Sequence, residues 1–332
     1  MTDGNAPITT ESRICITGHR GLLGSALVRR FQQGGYRQLL TRTHEELDLT
    51  DGDAVHRWFQ AERPDCVILA AAKVGGIWAN QTFPADFLTL NLKIQMSVFE
   101  AAHRIGVRRV MFFGSTCAYP KHCTQPMQEE HLMSGPLEPT SEPYAVAKIA
   151  GMKWCEVHNR QYGTSFLSVI PATLYGPGDN FDPETSHVVS GLMRRIHEAK
   201  LAGTPFCTVW GSGNATREFL YVDDLADACR FLLTVDARRL TETFEQTKFV
   251  VNIGSGEEIV VGELARLIKD TVGYDGELVP DSAKPDGAPR KVLDSRRIKA
   301  LGWISKTTLP VGLRATYDWY TRTPRSDVAA VR

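Results

Sequence analysis

The chain has 332 residues, 42% hydrophobic and 23% charged, which is room for one large or two modest domains of an ordinary globular protein. Lysine plus arginine equals aspartate plus glutamate at 38 each, so no bulk charge draws nucleic acid or an anionic membrane. The strongest apolar runs, such as Val67 to Ala72, fall far short of the roughly 20 residues that span a bilayer, and Met1 to Glu11 is polar. A cytoplasmic protein is therefore expected. Its seven cysteines are scattered without a Cys-x-x-Cys pair, so reduced thiols are expected, with neither a disulfide framework nor a metal site.

Residues 13 to 17 form a short β-branched run that stops at Gly18. His19-Arg20-Gly21-Leu22-Leu23-Gly24 then leads into an amphipathic helix. This is strand, glycine turn, helix. Three glycines there permit a tight turn, close backbone approach to a pyrophosphate and close helix-on-strand packing. A glycine triplet alone is a weak signal, but its place at the first strand-to-helix junction favours a dinucleotide site.

The next strand, about 37 to 41, runs into Thr41-Arg42-Thr43-His44, with no acid until Glu45. An acid here grips the adenosine ribose of NAD, whereas arginine accommodates the extra phosphate of NADP, so Arg42 and Arg20 favour NADPH. Solvated surface arginines are the plainer reading. Asp48 to Asp51 reads as a helix cap. A third apolar run, 66 to 72, ends in small residues that leave room for a ligand at a strand's C-terminal end. A helix follows from about 85 to 105, with Leu88, Leu92, Met96 and Phe99 in register.

Arg109 to Phe113 reads as a buried strand leading into Gly114-Ser115-Thr116-Cys117, and Pro143 suits the first turn of a helix carrying Tyr144 and Lys148 to about Tyr162. If the strand stays extended past Gly114, Ser115 and Cys117 share a face; on the helix Tyr144 and Lys148, four apart, do too. A hydroxyl, a thiol, a phenol and an ammonium then converge. The lysine is expected to pull the phenol's pKa from about 10 toward neutrality, making a proton donor for a carbonyl oxygen.

A strand at 166 to 171 ends in a turn-rich segment, 172 to 180. The alternation to this point implies a parallel, doubly wound sheet. Beyond 178 the pattern changes. His187 sits at a helix start, the helix runs 188 to 200, Trp210-Gly211-Ser212-Gly213 is a turn, and a strand from 217 enters a helix at 223. A strand at 250 to 253, a helix at 261 to 272 and a loop at 284 to 291 follow. The C-terminal part reads as a smaller α/β domain closing the crevice.

Gly18-x-x-Gly21-x-x-Gly24, Ser115 and Tyr144-x-x-x-Lys148 together resemble the extended short-chain dehydrogenase/reductase family. Ala71 to Ile77, Ser115-Thr116-Cys117, Leu174 to Pro177, Asp179-Asn180-Phe181, the His187 region, Trp210 to Gly213 and Lys284 to Asp294 narrow the likeness. They point to its GDP-4-keto-6-deoxy-D-mannose epimerase/reductases and cover nearly the whole chain. The resemblance implies a Rossmann-type NADP-binding domain at 12–178 and 215–255, a substrate-binding domain at 179–214 and 256–322, and a homodimer. It places NADPH against Gly18, His19, Arg20, Gly21, Leu22, Leu23, Gly24, Arg42, Lys148, Pro171, Ala172, Thr173, Leu174 and His187. It makes Cys117 base and His187 acid for epimerisation at sugar carbons 3 and 5. Tyr144 then protonates the C4 oxygen, with Ser115 and Lys148 tuning it. Arg195, Trp210, Arg217 and Asp286 match the contacts to a GDP-sugar.

The plainer readings are an inert thiol for Cys117, a helix cap for His187, a surface pair for Tyr144 and Lys148, a salt-bridge partner for Arg217 and a core ring for Trp210. This chain departs from other members at Ala172 and Thr173, where they carry Thr-Asn, at Gly178, often His, and at His44, arginine in some. Two rival readings are a GDP-4-keto-sugar epimerase or reductase acting on another sugar and a non-enzymatic dinucleotide-binding sensor.

Overall fold

In a computed structural model the described residues are 7–107, 109–281, 283 and 288–324. The first half alternates strand and helix: β1 (Ile14–Thr17), α1 (Leu22–Gln33), β2 (Leu39–Leu40), α2 (Gly52–Glu62), β3 (Cys66–Leu69), α3 (Ile77–Thr82), α4 (Pro84–Arg104), β4 (Arg109–Phe113), α5 (Glu142–Tyr162) and β5 (Ser165–Pro171). β6 (Thr173–Tyr175), α6 (Val188–Ala202), β7 (Phe206–Trp210), β8 (Thr216–Tyr221), α7 (Val222–Thr234), α8 (Ala237–Phe244) and β9 (Val250–Ile253) continue it. The chain closes with β10 (Glu258–Val260), α9 (Val261–Val272), β11 (Glu277–Asp281), β12 (Arg290–Lys291), α10 (Arg296–Leu301) and α11 (Leu309–Arg322).

The expected doubly wound sheet is present. Six parallel strands lie in the order β2-β1-β3-β4-β5-β9, with Ile14 opposite both Leu39 and Cys66. Every residue of β1, β3, β4 and β9 is buried, as a parallel sheet covered on both faces requires. Helices α1 and α7 pack together in one layer, and α2, α4 and α5 in the other. The chain leaves β1 for β2 on one side and returns to β3 on the other, so the ligand crevice of such sheets opens at the C-terminal ends of β1 and β3.

A second apolar core gathers Phe181, Leu192, Ile196, Phe219, Leu264, Ile268 and Leu313 from α6, β8, α9, α11 and the turn after β6. Strand β8 pairs with β10, β12 and β6, and β7 pairs with β11.

Two expectations give way here. The strand does not stay extended past Gly114: Ser115 heads a one-turn 3₁₀ helix, Thr116–Ala118, and its hydroxyl accepts the Cys117 N–H at 3.2 Å. A short side chain bonding its own backbone two residues on competes with the extended form and wins once the ladder to β5 ends. The turn-rich segment after β5 contains a strand, β6, whose partner β8 lies more than forty residues on, beyond the reach of local pattern.

Candidate active site

One large cleft of about 2200 Å³ runs along the C-terminal ends of the parallel strands and beneath α6. Its floor is the first glycine turn. Gly18 adopts φ 67, and a side chain there would stand 2.8 Å from the Ala71 backbone nitrogen; one at Gly24 would stand 2.0 Å from the Gly18 carbonyl oxygen. No residue larger than glycine fits either place. The backbone therefore lies open, with Gly21 capping an α1 first turn that carries no acid. Such a bare helix N-terminus suits a pyrophosphate, so the cradle fits a dinucleotide. His19, Arg20, Leu22, Leu23, Pro171, Ala172, Thr173 and Leu174 line the same cleft. Burial and the neighbouring Arg20 both push the His19 imidazole toward its neutral form. Arg42 stacks over Trp58 with its guanidinium carbon 5.4 Å from the ring centroid and reaches Glu62 at 3.1 Å.

The reacting groups stand deeper. Pro143 occupies the first turn of α5, as expected, and this helix delivers Tyr144 and Lys148 to the end of β4. Lys148 is 4% exposed; its ammonium donates to the Phe113 carbonyl at 2.9 Å and lies 5.6 Å from the centroid of the Tyr144 ring. Burial lowers its pKa to about 8. The phenol of Tyr144 moves opposite to expectation. Burial, helped by the Cys117 thiol, raises its pKa well above the ordinary value, and the hydrogen bond from Ser115 offsets this only in part. Desolvation of the charged form dominates, so the phenol stays protonated through neutral pH. Phe87 packs edge-on against it, ring centroids 6.1 Å apart.

Ser115, Cys117, Tyr144 and Lys148 thus meet in one place, with His187 entering the same cleft from the N-cap of α6. Farther along, Arg195 lies flat on Trp210, guanidinium carbon 4.3 Å from the ring, with its Nε buried and unbonded. Arg217 lines the same stretch and donates to the Thr216 carbonyl at 2.8 Å. Asp286 lies outside the described residues. Gly178 has φ 86, and a side chain there would press to 3.2 Å from the Ser25 hydroxyl, so glycine suits this position.

Sequence reasoning overlooked the polar residues that brace the cleft. Asn91 Nδ2 donates to the Lys73 carbonyl at 2.9 Å while its Oδ1 accepts the Lys73 N–H at 3.1 Å. Asn80 holds the Gly75 and Gly76 carbonyls at 2.9 and 3.0 Å. Asn91 and Gln95, four apart on the buried face of α4 among Phe87, Val98 and Phe99, are the signal that marks this helix.

The family model for the NAD dependent epimerase/dehydratase family matches residues 14–254. GDP-L-fucose synthase 1 of Arabidopsis thaliana is 51% identical over 312 residues, 94% of each chain. The GDP-L-fucose synthase of Escherichia coli K12 is 49% identical over 311 residues, 94% of this chain and 97% of that one. Among solved structures, a GDP-mannoheptose C4 reductase from Campylobacter jejuni with NADP bound superposes with a TM-score of 0.85 at 35% identity, covering 95% of this chain and 99% of that one. On that family match and these identities, this chain, with its parallel sheet and glycine cradle, belongs to the NAD dependent epimerase/dehydratase family of extended short-chain dehydrogenase/reductases.

Proposed function

We propose that this protein makes GDP-L-fucose from GDP-4-keto-6-deoxy-D-mannose, by NADPH-dependent epimerisation at sugar carbons 3 and 5 followed by reduction of the 4-ketone. The observation that carries the reading is the meeting of Ser115, Cys117, Tyr144, Lys148 and His187 in one cleft beside a dinucleotide cradle. Near-50% identity to GDP-L-fucose synthases over almost the whole chain supports the substrate.

The chemistry follows from the groups. Ser115 and the neutral Tyr144 phenol hydrogen-bond the C4 carbonyl oxygen, which acidifies the protons on both neighbouring carbons. Cys117 removes such a proton as base, and His187 returns one to the opposite face as acid, inverting the centre. General acid-base catalysis of this kind is worth roughly a hundred to ten-thousandfold. Tyr144 finally gives its proton to the C4 oxygen during reduction; the Lys148 ammonium stabilises the phenolate left behind, which solvent reprotonates. NADPH, when bound along Gly18 to Gly24, Arg42 and Lys148, supplies the reducing equivalent. Arg195, Trp210, Arg217 and Asp286 hold the GDP portion, where cations and an aromatic face suit a diphosphate and a base.

In the same reading, segments 12–178 and 215–255 form the cofactor domain and segments 179–214 and 256–322 the substrate domain. Two chains pair through α4 and α5, which lie side by side and leave Met96 and Val146 exposed. The protein works in the cytoplasm; all seven cysteines are free thiols, and among the described residues no helix is long and apolar enough to cross a membrane.

Incubation with GDP-4-keto-6-deoxy-D-mannose and NADPH in deuterated water tests this. NMR is expected to show deuterium at carbons 3 and 5 of GDP-L-fucose with NADPH consumed. Exchange without reduction makes the protein an epimerase. No reaction overturns this substrate and turns the search to other GDP-4-keto sugars.

A further inference from the structure

Helix α2 offers two residues one turn apart, Trp58 and Glu62, to Arg42, which lies two residues past β2. The guanidinium carbon stands 5.4 Å from the Trp58 ring centroid, Nη2 donates to Glu62 Oε1 at 3.1 Å, and Nη1 donates to the Thr41 carbonyl at 2.8 Å. A guanidinium carries five N–H donors, so these bonds leave others for a ligand. Glu62 is held from behind. Arg13, just before β1, donates to its second carboxylate oxygen at 2.8 Å and to its backbone carbonyl at 2.6 Å, so a second cation already shares that carboxylate. The indole of Trp58 is the fixed part of this arrangement. It packs against the first core and stands edge-on to the fully buried Phe59, ring centroids 5.5 Å apart. Its Nε1 is buried with no hydrogen-bond partner among the described residues. A phenyl ring or a leucine would fill the place without stranding a donor, so the retention of an indole calls for a cause. Among side chains, tryptophan gives a cation the most favourable ring face. Arg42, Trp58, Arg20, Thr43 and His44 all line the cleft.

We propose that Trp58 is a positioning residue for Arg42: the indole holds the guanidinium ready for the 2′-phosphate of NADPH and so sets the preference for NADPH over NADH. An arginine free in solvent samples many rotamers, and ordering it on binding takes free energy from the complex. Stacked on a ring and hydrogen-bonded through two nitrogens, Arg42 is ordered beforehand. NADH lacks the phosphate, so its affinity owes nothing to the stack. The inference rests on the NADPH reading given above and adds to it the residue that makes the arginine selective.

Dissociation constants for NADPH and for NADH, measured by titration calorimetry on wild type, Trp58→Leu and Trp58→Phe, test this without any turnover. Trp58→Leu is expected to weaken NADPH about five- to tenfold while NADH changes less than about twofold. Trp58→Phe keeps a ring and is expected to stay within about threefold of wild type for NADPH. In a double-mutant cycle with Arg42→Met, the Trp58→Leu change is expected to weaken NADPH less than about twofold, since the cation it positions is gone. Melting temperatures report the fold; should Trp58→Leu not fold, Trp58→Met, unbranched and adaptable, takes its place in the same cycle. An unchanged NADPH constant in Trp58→Leu, an equal loss of both dinucleotides, a Trp58→Phe variant no better than Trp58→Leu, or an undiminished loss in the Arg42→Met background overturns the proposal. Equal affinity of the wild type for NADPH and NADH overturns the cofactor reading itself, and the wild-type titrations alone reveal it.

Discussion

Lys148 is tied to Phe113: its buried ammonium donates to that carbonyl at 2.9 Å, joining α5 to the last residue of β4. Because burial lowers this lysine from 10.5 to about 8, the unfolded chain binds more protons than the folded one between those values. Raising the pH through that window therefore removes a penalty and stabilises the fold.

For Lys148→Met the first expectation concerns stability. The advantage of wild type over the variant should grow with pH from about 8 to 10.5, by up to about 3 kcal/mol at 1.36 kcal/mol per unit. Urea melts of both proteins across this range measure it, and other titrating groups cancel in the difference. A flat or falling difference would mean that the ammonium is not desolvated. If the charged form holds the reducing field, kcat/KM for reduction in wild type also declines above pH 8.

The two halves of the reaction should separate by mutation. Tyr144→Phe is expected to cut reduction by roughly a hundredfold or more, while solvent exchange at the sugar carbons continues. Cys117→Ser is expected to do the reverse, slowing exchange by a similar factor while NADPH-dependent reduction of an already epimerised sugar persists. Parallel loss of both activities in either variant would contradict the division of labour.

Gly24→Ala tests the cradle. The added carbon would stand 2.0 Å from the Gly18 carbonyl oxygen, a collision with backbone that no rotamer relieves. The α1 turn must open, and NADPH affinity measured by fluorescence titration should fall at least about tenfold, with a lower melting temperature. Gly106→Ala serves as the contrast. That glycine has φ 78 but open space around it, so the melting temperature is expected to drop through backbone strain while NADPH affinity holds.

Pairing through α4 and α5 predicts a mass of twice 36.8 kDa by light scattering at micromolar concentration. It also predicts that Val146→Asp, on the exposed face of α5, shifts the population toward monomer. A monomeric wild type removes the dimer from the model of action.

The parts of the site that were legible from sequence are those set by spacing within one element. Gly18 to Gly24 is a single turn, and Tyr144 with Lys148 is one helical step, so residue order alone fixed their relation. Ser115 and Cys117 converge despite the wrong backbone, because a 3₁₀ turn stands where a strand was expected. The Tyr144 phenol was misjudged since its titration depends on how much protein surrounds it, which no local pattern encodes. Strand β7 was missed although Phe206 to Trp210 alternates exposed and buried in strict order.

Strand β6 leaves the main sheet one residue after β5 and runs beside β8, which passes directly into α7 and so back to the first core. The chain therefore crosses between its two cores along paired strands instead of a single tether. Grafting the second core of a relative onto the first core of this chain would need several matched splices, with Thr173 to Tyr175 kept in register with Phe219 to Tyr221. New sugar preferences should accordingly arise in this lineage through point changes along the cleft rather than by exchange of whole modules.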